Sequence, residues 1–259
     1  MDHTFLIIKT GSTMPDLVAR RGDFEDWIVQ GLGLPKTMVR IVNVTNGEEL
    51  PPPSEASGIV ISGSHAMVTE HQPWSERTAQ WLSDAVQTGV PILGICYGHQ
   101  LLAYALGGEV GDNPNGREFG TVDIHLHTNG DTAVGGTANG GTANGGILFA
   151  GFNSPIQAHV SHTQSVLRLP EGAHVLASSA MEPHAAIAFA PQVWGVQFHP
   201  EFDADIVRTY IRAYADVLRA EGQDPEQRLA TCHDTPVGTV LLAKFARLVQ
   251  QQRNAGGNR

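Results

Sequence analysis

The stretch Val90-Pro91-Ile92-Leu93-Gly94-Ile95-Cys96-Tyr97-Gly98-His99-Gln100 decides how this chain is read. It has the form of a buried strand, a sharp turn and a helix start. Val90 to Ile95 is a short apolar run entered through Gly89 and Pro91. Leu101, Leu102, Tyr104, Ala105 and Leu106 then follow at helical spacing until Gly107-Gly108 stops them. Between the two lies Gly-x-Cys-x-Gly, with Gly94 and Gly98 flanking Cys96. A nucleophile at a strand-to-helix turn is held in a strained backbone, and small flanking residues let the chain pack tightly and a substrate approach. The helix that follows aims its free N–H groups and positive end at the sulfur, which favours thiolate. Most cysteines are inert packing residues; the two glycines and the strand–turn–helix context mark Cys96 as a nucleophile.

Working outward, the same alternation recurs on the N-terminal side. Phe5 to Ile8 reads as a first buried strand with Thr10-Gly11-Ser12 as its turn. Phe24, Trp27, Ile28 and Leu32 recur at helical spacing and end at Gly31 and Gly33. Met38 to Val44 is a second strand, Pro51-Pro52-Pro53 a surface connection, and Gly58 to Ile61 a third strand ending in Ser62-Gly63-Ser64-His65. Trp74, Thr78, Trp81, Leu82 and Ala85 mark an amphipathic helix before the cysteine strand. Strands alternating with helices predict an α/β fold, a flavodoxin-like open and mostly parallel sheet with helices on both faces. Ligands of such sheets bind beyond the carboxyl ends of the strands, where strand order reverses. The Gly63-Ser64 turn and the Cys96 turn both sit at such ends and should be neighbours.

Beyond Gly108 the pattern changes. Arg117-Glu118-Phe119-Gly120 leads into an alternating, half-buried strand, Thr121 to His127. A tandem Gly-Gly-Thr-Ala-Asn unit over residues 135–146 has no side chain able to anchor a core, and is expected to be a mobile surface excursion. His174 to Ser178, Ala185 to Ala190 and Val193 to Phe198 predict a small antiparallel extension of the main sheet. Asp203 should cap a helix carrying Ile206, Val207, Tyr210, Ile211, Tyr214, Val217 and Leu218. A last helix is expected from the Asp234-Thr235-Pro236 cap, with Val237, Val240, Leu241, Phe245 and Leu248 as its buried stripe and a frayed tail from Asn254. The chain divides into a main domain over residues 1–220 and a helical extension over 221–259 packed on it.

Hydrophobic residues make up 41% of the chain, enough for a sizeable core, and the net charge of −10 argues against nucleic acid as a partner. The two cysteines, Cys96 and Cys232, are far apart and in no metal-type spacing, which suggests a reducing compartment. The N-terminal apolar run is too short for a signal peptide or membrane span, so a soluble cytoplasmic protein is expected.

A cysteine that cleaves amides or esters needs a base and a group to orient it. Gly195-Val196-Gln197-Phe198-His199-Pro200-Glu201 supplies both. His199 sits where a strand ends, and in an extended segment residues two apart point the same way, so Glu201 can reach the far ring nitrogen and fix its tautomer. For an oxyanion hole, the Tyr97 N–H just after the nucleophile is one donor, and the Gly63-Ser64 turn is the natural source of a second.

Together, Gly-Ile-Cys-Tyr-Gly-His-Gln and Gly-Val-Gln-Phe-His-Pro-Glu resemble the class I (triad) glutamine amidotransferase domain, and within it the glutaminase part of GMP synthetases. Val60-Ile61-Ser62-Gly63-Ser64 resembles the family's oxyanion loop, and Arg117–Gly120 and Val160–Val166 also look like segments of the GMP-synthetase type. The resemblance covers most of the chain to about the helix after Glu201. It implies hydrolysis of the glutamine side-chain amide through a Cys96 thioester, with His199 and Glu201 completing the triad and no cofactor. It further implies that Gln100 contacts bound glutamine and that Ser161, His162, Thr163 and Gln164 hold its α-amino and α-carboxylate groups, partly through backbone. Two positions depart from the pattern: Gln164 stands where an Asp often follows, and Gly63-Ser64-His65 replaces a common Gly-Gly-Pro run.

No Ser-Gly-Gly-x-Asp-Ser loop for ATP pyrophosphatase work and no Walker A run appears, and only two helices are expected after the last motif, so the resemblance is to the ammonia-producing half alone. A synthetase partner receiving ammonia is implied. A γ-glutamyl peptidase or hydrolase using the same triad is the competing enzyme, and a regulatory module that kept only the fold is the non-catalytic alternative. His125/His127 and His159/His162 could be read as metal pairs, but no further cysteine or carboxylate cluster completes a site, so no metal is expected. Cys232 should pack as a small apolar residue or lie near the surface.

Overall fold

The computed structural model describes residues 4–127 and 145–256. It opens with β1 (Thr4–Lys9), α1 (Pro15–Arg21), α2 (Phe24–Leu32), β2 (Val39–Asn43), β3 (Ala56–Ile61), α3 (Pro73–Gln87), β4 (Ile92–Ile95) and α4 (Tyr97–Ala105). There follow β5 (Glu109–Asp112), β6 (Glu118–Leu126), β7 (Ile156–His162), β8 (Gln164–Arg168), β9 (His174–Ser178), β10 (Ala186–Ala190) and β11 (Val193–Val196). Four helices close the described chain: α5 (Ala204–Ala213), α6 (Ala215–Ala220), α7 (Pro225–Thr231) and α8 (Pro236–Gly256).

Nine strands form one mixed sheet in the order β2-β1-β3-β4-β11-β10-β9-β6-β7, and β5 with β8 form a two-stranded antiparallel sheet. Pairing is parallel from β2 to β11 and antiparallel from β11 onward. The expected α/β architecture, with helices on both faces and an antiparallel extension, is what the chain adopts. Side chains alternate along the central strands as a pleat requires. Ile7, Val60, Leu93 and Ile95 point to one face, where they pack with Ile28 and Leu32 of α2 and Leu241, Leu242 and Phe245 of α8. Leu6, Ile8, Ile59, Ile61 and Ile92 point to the other, against Leu82 of α3 and Leu101 and Leu102 of α4. A third cluster, around Leu17, Phe24, Trp27, Phe202, Ile206 and Tyr210, includes residues of α1, α2 and α5.

Several local expectations change. The predicted helix from Asp203 does begin there, the carboxylate accepting from the Ile206 N–H at 2.9 Å, but it breaks at Tyr214 into α5 and α6. Four helices, not two, follow the last motif, because α7 forms from a stretch too short to show periodicity; α1 was missed for the same reason. Asp234 does not cap the last helix: its carboxylate accepts from Ala204 N at 3.0 Å and so ties the start of α5 to the α7–α8 connection. The buried stripe of α8 is Leu241, Leu242, Phe245, Ala246 and Val249, while Val240 is 45% exposed. Leu242 lies directly over Gly31 of α2, and Val249 approaches Gly58 of β3 nearly as closely. The Gly-Gly-Thr-Ala-Asn tandem over 135–144 and the tail 257–259 lie outside the described residues; α8 itself continues through the expected fray point to Gly256.

Candidate active site

Parallel pairing of β4 with β11 brings together segments about a hundred positions apart. Gly94 faces Gly195 and Ile95 faces Val196 in register, and the Cys96 N–H donates to the Val196 carbonyl at 2.8 Å. Cys96 therefore leaves the sheet beside the segment that carries His199. Its backbone takes φ 50° and ψ −100°, a conformation that costs a non-glycine residue on the order of 1–3 kcal/mol. The turn is sterically saturated. A Cβ at Gly94 would lie 2.5 Å from the Gly98 carbonyl oxygen, and one at Gly98 would lie 2.6 Å from that of Ile61. Cys96 is the N-cap of α4, so the unpaired N–H groups of the helix's first turn lie at the Cys96 end.

His199 Nδ1 lies 2.7 Å from Glu201 Oε1, both side chains being buried. That engagement leaves Nε2 for the Cys96 side, where the sulfur adds to the raising of the ring's pKa. Burial alone would lower the imidazole pKa. The Glu201 carboxylate and the Cys96 sulfur outweigh it and push it up to about 10. Phe202 stacks on the imidazole with centroids 4.0 Å apart and planes 14° apart, and Phe24 stacks more distantly at 6.3 Å. Neither aromatic was visible as a site residue in the sequence; Phe202, one residue past the His-x-Glu pair, was the available signal.

The loop after β3 closes over this pair. A Cβ at Gly63 would lie 2.9 Å from His199 Cε1 and 3.8 Å from Cys96 Cβ, so only glycine lets the loop come this close. The Gly63 carbonyl is drawn away by two donors at 3.0 Å, the hydroxyls of Thr10 and Ser62. Because a trans peptide sets its N–H opposite its C=O, the Ser64 N–H is aimed the other way. Thr10, at the end of β1, is thus a member of the site that sequence reasoning passed over as an ordinary turn residue.

Cys96 opens into a half-open pocket. Ser64, Tyr97, Gln100, Ser161, His162, Thr163 and Gln164 all line it, as do His65 and Arg117. His199 lies behind the sulfur at 4% exposure. The Cys96 sulfur is 3.9 Å from the Ser161 carbonyl. The side chains of the predicted binding residues are largely engaged with the protein. Gln100 Nε2 donates to the Gln164 carbonyl at 2.8 Å and to Gln197 Oε1 at 2.9 Å. His162 is held by Glu118 at 3.0 Å and by the Gln164 carbonyl at 3.0 Å. Gln164 Nε2 reaches Thr69 at 2.7 Å and Asp112 at 3.2 Å. The turn between β7 and β8 is therefore stiffened from behind, with Ser161 and Thr163 lining the cavity.

The histidine pairs considered as metal ligands go to separate partners: His127 to Ser178, His159 to Thr121 and His162 to Glu118. Among the described residues no cluster of three metal-binding side chains forms. Both cysteines are free, and Cys232 is buried with its thiol 3.6 Å from the Ala204 carbonyl. No helix among the described residues is long and apolar enough to cross a membrane.

Residues 21–211 match the family model of glutamine amidotransferase class-I. The chain belongs to that family. Among its curated relatives, a glutamine-hydrolysing GMP synthase of Aeropyrum pernix is 36% identical over 197 residues, covering 76% of this chain and 32% of that protein. One of Albidiferax ferrireducens is 39% identical over 145 residues, covering 56% of this chain and 24% of that protein. The chain thus spans less than two thirds of the length of the curated relatives it matches. In fold it is similar to a glutamine amidotransferase of Thermotoga maritima, with TM-score 0.71, 22% identity and coverage of 95% and 98% of the two chains. It is also similar to a putative GMP synthase subunit of Thermoplasma acidophilum, with TM-score 0.63, 18% identity and 98% coverage of both. The match to the class-I amidotransferase family includes Cys96, His199 and Glu201, and ends at residue 211, within α5.

Proposed function

We propose that this class-I amidotransferase chain hydrolyses the side-chain amide of glutamine, releasing glutamate and delivering ammonia to a synthetase unit. The observation that carries the reading is the buried Cys96–His199–Glu201 constellation, with His199 Nδ1 2.7 Å from Glu201 Oε1 and the imidazole pKa pushed up by the carboxylate and the sulfur. The sulfur, as thiolate, attacks the amide carbon. Charge develops on the amide oxygen, where the Tyr97 N–H and the Ser64 N–H act as donors. The His199 imidazolium protonates the departing ammonia, leaving a glutamyl thioester on Cys96. The neutral ring then takes a proton from water, which attacks the thioester; the C–S bond breaks and glutamate leaves. Glu201 orients the ring and stabilises its cation without itself exchanging a proton. The Ser161–Gln164 turn and Gln100 form the wall against which the α-groups of the substrate rest.

Release of glutamate from glutamine, measured with the chain alone and with candidate synthetases, tests the proposal; no turnover in either setting would reject it. A second reading, hydrolysis of γ-glutamyl amides, is supported by the loop after Gly63. Ser64 and an exposed His65 line the pocket at the position of the family's common Gly-Pro, which widens the chemistry available beside the scissile bond. Faster release of glutamate from γ-glutamyl peptides than from glutamine would favour it. A purely regulatory role predicts that iodoacetamide modifies Cys96 no faster than Cys232.

A further inference from the structure

The pocket beside Cys96 must accommodate a zwitterion if its substrate is an amino acid, and among the described residues that line it there is a single lysine or arginine, Arg117. Arg117 immediately precedes β6. Glu118 of β6 pairs in register with His162 of β7, and the two strands run antiparallel. Arg117 therefore stands opposite Thr163, at the turn that faces the substrate's α-groups in the proposed hydrolysis.

The guanidinium is presented rather than folded away. Its Nε donates to both carboxylate oxygens of Glu221, at 3.0 and 3.2 Å. Its Cζ lies 5.9 Å from the centre of the Tyr214 ring. Gln223 Nε2 donates to the Arg117 carbonyl at 2.8 Å. Among the described residues neither terminal nitrogen has a hydrogen-bond partner. An arginine gripped at Nε and along one face, with its terminal nitrogens free in a pocket, has the geometry of a carboxylate receptor. The three residues that hold it, Tyr214, Glu221 and Gln223, all lie beyond residue 211, where the family match ends.

We propose that Arg117 binds the α-carboxylate of the γ-glutamyl substrate, with Tyr214 and Glu221 as its positioning residues. The inference rests on the proposed amide hydrolysis for its choice of ligand but not for its test. The α5–α6 corner is then part of the recognition site, and its place is fixed by the break at Tyr214. Arg117 takes no part in bond making; it discriminates between acyl groups that carry a carboxylate and those that do not.

Binding to the Cys96→Ala chain, followed calorimetrically, separates recognition from chemistry. The two probes are L-glutamine and its α-carboxamide, which keeps the ammonium and side-chain amide but lacks the carboxylate. The parent should prefer L-glutamine by about 30-fold, the range of a hydrogen-bonded charge pair. Arg117→Gln should reduce that preference to about twofold while leaving the affinity for the carboxamide unchanged. Glu221→Gln, on the surface and harmless to folding, should reduce it about threefold, and serves if Arg117→Gln does not fold. Absence of preference in the parent, its persistence in Arg117→Gln (or in Glu221→Gln where that variant stands in), or failure of both probes to bind would overturn the assignment. Glutamine turnover by the unsubstituted chain without any carboxylate preference would sink only the role of Arg117. Preference without turnover would sink only the proposed hydrolysis.

Discussion

The turn around Cys96 and the wall facing it are built on opposite principles. The turn is made by exclusion: Gly94, Gly98 and Gly63 are there because backbone or imidazole occupies the space a Cβ would need. The wall is made by attraction: Gln100, His162, Gln164 and Arg117 are fixed by hydrogen bonds to partners scattered from Thr69 to Glu221. Steric exclusion is local and unforgiving. A hydrogen-bonded wall is distributed, so each partner contributes about 1 kcal/mol and single losses are tolerated. Chemistry should therefore collapse on single changes in the turn, and recognition should erode gradually with changes in the wall.

Cys96→Ala should abolish glutamate release, a loss of at least about 10⁴-fold in kcat, with the melting temperature retained because the side chain removed is small. Residual turnover above about 1% would break the assignment of the nucleophile. His199→Ala should cost about 10³-fold or more and Glu201→Gln about 10- to 100-fold, since the carboxylate acts only through the ring. An equal or larger loss at Glu201 would contradict the roles given. The pH profile sharpens the same point. The imidazolium donates the proton to ammonia, so kcat/KM should fall on the alkaline side near pH 10, where His199 loses it. Glu201→Gln removes the leading cause that raises this pKa and should move that limb toward neutrality.

Gly63→Ala, which puts a methyl 2.9 Å from His199 Cε1, should reduce kcat about 10- to 100-fold with little change in KM or stability. A neutral result would show that the loop yields and that exclusion does not govern this half of the site. On the wall, Gln100→Leu should raise KM about tenfold or less and leave kcat nearly unchanged, because its amide ties the wall together at the Gln164 carbonyl and Gln197. A kcat collapse there would erase the contrast between the two regions.

The mildest effect concerns stability. His99 and His159 are buried and neutral, their pKa values lowered to about 3 and about 4, chiefly by desolvation. Their unfolded counterparts protonate near 6.5. The stabilisation they represent is complete above that value and drains as pH falls toward 4 and then 3, because the unfolded chain binds protons the folded chain refuses. His199 has the opposite sign: its contribution is full below 6.5 and is lost as pH climbs to about 10. The melting temperature should therefore decline on both sides of neutrality, and a flat profile from pH 4 to 7 would contradict the burial of the two neutral rings.

How much of this was legible in the sequence follows the same division. The strand–turn–helix around Cys96 and the His199-x-Glu201 pair are short-range patterns, and both were readable. So was the succession of strands and helices before them, because periods of two and 3.6 survive in any single strand or helix that buries one face. The rotation of α8 was not, since its apolar residues nearly encircle the helix, and the close approaches that choose among them, Leu242 to Gly31, Val249 to Gly58 and Gly238 to Pro200, join distant segments. Thr10 was not, since its hydroxyl matters only because β1 lies beside β3. Arg117 carried no assigned role until its place opposite Thr163 and beneath Tyr214 was known.

The sequence by itself determined which side chains are proposed for the chemistry and that the sheet around them is largely parallel, because spacing and turn sterics act over a few residues. Tertiary structure alone decided that the Cys96 sulfur reinforces Glu201 in raising the imidazole pKa and that one guanidinium stands free in the pocket. Those properties depend on neighbours a hundred or so positions away, brought close by strand order and by the break between α5 and α6, and no local pattern encodes such distances.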